Sequence, residues 1–175
     1  MAIQLLAIAA RTLTNALGRG GAASLGALRR GESGLRPCDF EDAGLPTWIG
    51  RVAGLEEEPL TGEFAPFDCR NNRLARLGLE QDGFGATVRV ARDRYGPDRI
   101  GVFVGTSTSG IGATEHAYRQ RDPITGSLPA TFDYPHTHNV FSVADFTRRW
   151  LGLTGVAMAI STACSSSAKA FASAW

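Results

Sequence analysis

Apolar residues come in short runs along this chain, and their spacing alternates between the period of a strand and that of a helix. Residues 4–9, apolar after Gln4, predict a buried first strand. Gly18, Gly20 and Gly21 mark a loop, residues 22–30 a short helix, and Gly31 and Gly34 its stop. Residues 36–66 are broken by prolines and glycines and predict surface cover, with one short strand near residues 48–52. The longest helical pattern spans residues 71–95. Leu74, Leu77, Phe84, Val88, Ala91 and Tyr95 recur along one face, Gln81 bridging the widest gap. Gly78, Gly83 and Gly85 each weaken such a helix by about 1 kcal/mol relative to alanine, so tertiary packing must hold it. Gly96-Pro97 ends it.

Residues 100–104 are mostly apolar and rich in β-branched side chains, as in a buried strand of a parallel or mixed sheet. Small, polar residues follow over 105–110, then a helix over 111–121 and a long polar, aromatic loop over 122–139. Ser142 opens another helix, with Asp145 placed to complete a capping box, and that helix runs to about Leu151. Residues 155–160 form a further buried strand. Strands alternating with helices imply an α/β layered domain.

Composition narrows the partners. At 175 residues the chain suits one domain rather than two. With 43% hydrophobic residues, 20% charged residues and a net charge of +1, it favours neither nucleic acid nor an anionic membrane. All the basic residues but Lys169 are arginines, scattered rather than gathered. Cys38, Cys69 and Cys164 are too few and too far apart for a disulfide framework or a zinc site, and free thiols suit a reducing cytosol. The apolar start has no basic leader and is too short to span a bilayer.

The most informative stretch is Ser161-Thr162-Ala163-Cys164-Ser165-Ser166-Ser167-Ala168-Lys169-Ala170. An apolar strand runs straight into a cysteine, and small residues with helix-compatible spacing follow. Such a turn projects the cysteine at a helix N-terminus, where unpaired N–H groups and the positive end of the helix dipole stabilise thiolate. Small neighbours let the backbone turn sharply and let an acyl chain approach the sulfur. The chemistry implied is acyl transfer through a thioester. A buried structural cysteine between strand and helix fits the same residues, and on the residues alone both readings stand.

The string Thr162-Ala163-Cys164-Ser165-Ser166-Ser167-Ala168 resembles the nucleophile motif of elongating β-ketoacyl-acyl carrier protein synthases, of fatty acid and polyketide type. The resemblance covers nearly the whole chain. Thr12-Leu13-Thr14-Asn15-Ala16-Leu17-Gly18 is similar to the turn after the family's first strand, and residues 25–40 to its first helix and following loop. Residues 99–110 resemble the strand whose end borders the acyl pocket, and residues 137–153 the segment leading to the nucleophile strand. The long insert over 122–139 is similar to synthases of the aryl polyene pathways. Val156 and Lys169 depart from common family residues and leave the cysteine motif intact. The triple serine argues against a degradative thiolase or a starter-type synthase.

The resemblance implies a thiolase-like layered fold, its N-terminal half only, with a mixed, mostly parallel sheet covered by helices and one domain over residues 1–175. It implies Cys164 as the acyl-thioester nucleophile, its backbone N–H serving as an oxyanion donor, and Thr106, Ser107, Thr108, Ser109, Gly110 and Ile111 as acyl-pocket lining. No cofactor is expected on the protein, because phosphopantetheine arrives on the acyl carrier protein. A cytoplasmic homodimer or heterodimer follows from the same resemblance. Two histidines that complete the family's site have no counterpart here. His116 reads as a surface residue, and His136 and His138 have metal-like spacing without a third ligand. The chain alone is therefore expected not to condense acyl chains and to expose apolar surface. The rival expectation is a non-catalytic piece that pairs with a second half or a full synthase.

Overall fold

The computed structural model describes residues 6–40 and 44–175. A hairpin of β1 (Thr14–Asn15) and β2 (Gly18–Arg19) leads into α1 (Gly21–Arg29). The Asn15 carboxamide accepts from the Leu17 N–H at 2.8 Å and tightens the hairpin. β3 (Leu35–Pro37) pairs antiparallel with β4 (Trp48–Gly50). A 3-10 turn at Gly62–Phe67 precedes α2 (Arg70–Leu79) and α3 (Phe84–Tyr95). Then come β5 (Val102–Gly105), α4 (Ile111–Arg119), a π-helical turn at Tyr134–His138, α5 (Ser142–Trp150), β6 (Ala157–Ile160) and α6 (Ser166–Ala174).

β5 and β6 pair in parallel, from Val102 opposite Ala157 to Gly105 opposite Ile160. Side chains alternate between the two faces of such a pair, and each face needs a cover. Gly101 and Phe103 share a hollow with Ala170 and Phe171 of α6, whereas Val104 and Thr106 share one with Val143 and Thr147 of α5. Helices thus lie on both sides, and the α/β class is as expected. Among the described residues the parallel part of the sheet is this one pair, and β1–β2 and β3–β4 are separate antiparallel ribbons.

On the α5 side, Leu60, Phe67 and Phe146 form a closed cluster, extended by Phe64, Ala75 and Trp150. Phe64 meets Trp150 edge-on at 4.9 Å between ring centroids, a geometry worth about 0.5–1.5 kcal/mol beyond its burial. This packing fastens α2 to α5, and so the start of α2 to the sheet.

Several sequence expectations are corrected. Residues 6–9 form no strand and expose Leu6 and Ile8, because among the described residues no neighbouring strand accepts their hydrogen bonds. The rest of that expected strand, Gln4 and Leu5, lies outside the described residues. The long helix over 71–95 is two helices. Asp82 and Gly83 take left-handed φ values of 55° and 69°, and the Asp82 carboxylate receives the Gly21 N–H at 2.9 Å, so the chain bends there to hold the first hairpin. The stripe that predicted one buried face buries Leu77 but leaves α3 with no fully buried residue and Tyr95 exposed. The capping box at Ser142 is not made. Ser142 is fully buried and bonds Asn72 and the His136 carbonyl, while Asp145 binds Arg148 and Arg149 of its own helix. The strand ending at Ile160 is half-buried rather than buried, with Val156 and Met158 open to solvent.

One ion pair anchors this arrangement. Arg73 grips Asp68 with two bonds of 2.6 Å, and the Leu60 N–H adds a third at 2.9 Å. Partial burial opposes charge on Asp68, but the Arg73 pair and the Leu60 N–H together hold its carboxyl below the ordinary carboxylate range. A depressed carboxylate stabilises the fold above its unfolded pKa, and that contribution is lost as pH falls through the folded one. Asp68→Asn is therefore expected to be less stable than wild type at neutral pH and to converge with it in strong acid. Urea midpoints measured across pH check this. A constant offset down to strongly acidic pH would contradict the ion pair's role.

Candidate active site

How β6 ends determines how Cys164 is presented. The Thr106 N–H still donates to the Ile160 carbonyl at 3.0 Å, so the strand pair holds to the edge of the turn. Ser161 Oγ then donates to the Ser107 carbonyl at 2.9 Å. Ala163 adopts φ 53°, a left-handed conformation that a non-glycine residue keeps only when its surroundings enforce it. Ser166, almost fully buried, is what enforces it. Its Oγ accepts the Thr162 N–H at 2.8 Å and donates to the Ala163 carbonyl at 2.7 Å, with the Thr106 carbonyl at 3.3 Å sharing the proton. Ser165 Oγ closes the turn on the Thr162 carbonyl at 2.9 Å. The 3-10 turn Ala163–Ser165 feeds directly into α6, and Cys164 stands exposed at its mouth, where first-turn amides lack intrahelical acceptors.

The turn can lie this close to β5 because residue 105 is glycine. A Cβ there would come within 2.7 Å of the Ser166 carbonyl and of Ser167 Cα. Backbone meets backbone at that point, and neither side has a flexible end that could move away.

The six residues expected to line an acyl pocket are divided. Thr106 borders a hollow of about 370 Å³ with Val104, Leu74 and Thr147. Thr108, Ser109, Gly110 and Ile111 border another of about 570 Å³, against Leu55, Cys69 and Leu74. Ser107 uses its carbonyl on Ser161 instead, and Cys164 lines neither hollow. Ser109 is buried, and its Oγ receives Asn71 Nδ2 at 2.9 Å. Gly110, at φ 63°, lies so near the Thr137 carbonyl that a Cβ would collide with it.

Sequence reasoning missed Asn71, Asn72 and Ser166. Asn72 is fully buried and donates to the Phe67 carbonyl and Ser142 Oγ, each at 2.9 Å, and to the His136 carbonyl at 3.3 Å. It ties α2, the π-helical turn and α5 together. The available sign was two adjacent amides at the head of an otherwise apolar stripe.

The histidines are engaged elsewhere. His116 is exposed on α4 beside Gln120, and His136 pairs with Asp133 at 2.8 Å. Thr114 spends its single hydroxyl proton on the Gly110 carbonyl, so His138 Nδ1 is the donor to Thr114 Oγ1 at 2.9 Å. Burial lowers the His138 pKa from its ordinary value, against a weaker pull from Asp133. No group of three or more His, Cys, Asp or Glu among the described residues is arranged to hold a metal ion. Burial pushes the Cys69 thiol up, against the N–H groups of Asn72 and Asn71, while Cys38 is half-buried.

A parallel strand turns here through a strained residue into a helix, with an exposed cysteine at the junction of an α/β unit. Residues 75–175 match the family model of the β-ketoacyl synthase N-terminal domain, more than half the chain, and the chain belongs to that family. It is also similar to a chain in the solved structure of the ketosynthase ApeO in complex with its chain length factor ApeC from Xenorhabdus doucetiae. The identity is 26% and the TM-score 0.66, covering 93% of this chain and 40% of that one. This chain therefore spans about two fifths of that relative's length. No curated protein sequence matches it. No helix among the described residues is long and apolar enough to cross a membrane.

Gly105→Ala is expected to destabilise the fold by at least about 1–3 kcal/mol, the usual range for overpacking, and to displace the start of α6. Denaturant unfolding and the rate of Cys164 alkylation report the two effects. A variant with wild-type stability and wild-type thiol reactivity would show that the close approach does not hold the turn.

Proposed function

We propose that Cys164 is the acyl-accepting nucleophile of a β-ketoacyl-acyl carrier protein synthase. The observation that carries this reading is the exposed thiol at the mouth of α6, on a turn that Ser166 braces and Gly105 permits. In the proposed first step the Cys164 thiolate attacks the thioester of a phosphopantetheine arm borne by an acyl carrier protein. The oxyanion that forms is received by the Cys164 N–H, and collapse releases the pantetheine thiolate and leaves the acyl group on Cys164. In the second step a malonyl-carrier extender loses carbon dioxide. Its carbanion attacks the Cys164 thioester and leaves with a chain two carbons longer, returning the cysteine thiolate. Thr106, Ser107, Thr108, Ser109, Gly110 and Ile111 border the acyl chain's path. Phosphopantetheine belongs to the carrier substrate, and no resident cofactor is invoked. The setting is cytoplasmic.

Decarboxylation needs hydrogen-bond donors on the malonyl carboxylate and the forming enolate, and all three histidines of this chain are committed to Gln120, Asp133 and Thr114. The 175 residues alone therefore accept acyl groups but do not condense them. Val156, Met158, Phe171 and Trp175 lie exposed on or beside β6 and α6, which supports a homodimeric or heterodimeric assembly over that face. The engaged histidines also favour a second reading, a non-catalytic piece that pairs with a separate second half or with a full synthase. Co-expression and size-exclusion separate the two, since a dedicated partner forms a complex of fixed stoichiometry.

Labelling with a thiol-directed acyl analogue is expected to mark Cys164 over buried Cys69, and Cys164→Ala to remove that label while any on Cys38 and Cys69 persists. Equal labelling of all three thiols would defeat the assignment. Malonyl-carrier protein incubated with the isolated chain is expected to release carbon dioxide no faster than the background rate. Robust release would overturn the division of labour argued here.

A further inference from the structure

Three serines follow Cys164, and the fold gives one of them a separate task. Ser165 and Ser167 are exposed, whereas Ser166 is almost fully buried. Its single hydroxyl proton goes chiefly to the Ala163 carbonyl at 2.7 Å, since the Thr106 carbonyl stands farther off at 3.3 Å. The Ser166 N–H reaches the same Ala163 oxygen, and Ser166 Oγ also accepts the Thr162 N–H at 2.8 Å. One residue thus brackets Ala163, which sits at φ 53°.

The Ala163 carbonyl and the Cys164 N–H belong to one peptide unit. That unit is planar and trans, so its C=O and N–H point in opposite directions. Gripping the oxygen therefore aims the N–H. The oxygen is held by the first residue of α6, and the Cys164 N–H is turned the other way, where it meets no hydrogen-bond acceptor among the described residues. Relaxation of Ala163 from its left-handed conformation would rotate this peptide, and without the hydroxyl the hold on the oxygen passes to the Ser166 N–H. We infer that Ser166 is a positioning residue: through the Ala163–Cys164 peptide, its hydroxyl aims the Cys164 N–H at the carbonyl oxygen of an incoming thioester. This rests on the acyl transfer proposed above, and Ser166 itself touches neither the sulfur nor the substrate. As the bond from Cys164 Sγ to the thioester carbon forms, the carbonyl oxygen takes up the negative charge, and a donor already pointing at it stabilises the transition state. Displacement of iodide from iodoacetamide by the same thiolate creates no oxyanion. The two reactions of one thiol therefore separate the aim of the N–H from the exposure of the sulfur.

The test uses the whole chain and follows Cys164 by peptide mass spectrometry in two reactions, acylation by the N-acetylcysteamine thioester of an acetyl group and alkylation by iodoacetamide. Ser166→Ala is expected to slow acylation about a hundredfold, the scale of a misplaced oxyanion donor, while alkylation stays within about twofold of wild type. Acylation at the wild-type rate overturns the inference. An equal fall in both reactions overturns it too, because it assigns Ser166 to the folding of the turn alone. If Ser166→Ala loses its thermal transition, Ala163→Gly with and without Ser166→Ala decides, since glycine takes the left-handed conformation without bracing. In that background the added Ser166→Ala is expected to slow acylation and spare alkylation, and equal effects on both again overturn the inference. Wild type that is alkylated at Cys164 but takes no acetyl group defeats the thioester reading, and the role of Ser166 with it.

Discussion

The contact on which the rest of the site depends is backbone against backbone, where the first residues of α6 press on Gly105 at the end of β5. Close packing leaves no room for even one methyl group there. That approach brings Ser166 within reach of the Thr106 carbonyl, and the same hydroxyl then serves Thr162 and Ala163. The left-handed Ala163 follows from this bracing, and the exposure of Cys164 follows from Ala163. Strain of order 1–3 kcal/mol at a non-glycine left-handed residue persists only when neighbours over-determine it. Here the over-determination comes from one buried serine and one missing side chain.

A second bracket works from the other side of the sheet. Asn71 and Asn72 leave the head of α2 in two directions, one towards Ser109 in the loop after β5, the other towards Ser142 and the π-helical turn. The loop over residues 106–111 is thereby fastened at the cysteine turn by Ser161 and at α2 by Asn71. A net hydrogen bond contributes about 0.5–1.5 kcal/mol, so neither fastening alone is decisive. Their effect is geometric: the loop is short, both ends are tied, and its middle must border whatever lies between them.

The α/β class, the order of most elements and the turn at Cys164 were legible because they depend on local pattern. Alternating strand and helix periods, glycines at stops and small residues around the cysteine each act over a few neighbours. What was not legible depends on distant partners. Residues 6–9 have strand-like composition, yet composition does not supply a neighbouring strand. The break at Asp82 is set by the Gly21 N–H across the fold, and no helix-period count over residues 71–95 contains it. Ser142 has the right spacing for a capping box with Asp145, but burial against Asn72 claims its hydroxyl first. Ser166 was read as one of three small serines, and only the fold distinguishes it as the buried one.

The surfaces left open bear on how the proposed chemistry divides. Val156, Met158, Phe171 and Trp175 remain exposed beside the very elements that present the cysteine. Apolar faces of this kind mark contact with another body, and in this chain such contact would be made next to the thiol rather than remote from it. For the acyl acceptance proposed above, the β6–α6 junction offers an exposed thiol with first-turn N–H groups beside it. Decarboxylation needs further donors, and every histidine in this chain is turned to a local partner. If the proposed condensation is right, whatever covers the open face is the natural source of those donors, and assembly and the second stage of that reaction would be one requirement. On the proposed mechanism, a carbanion generated only once that face is covered would meet the thioester in a site closed to water, where protonation competes less with condensation.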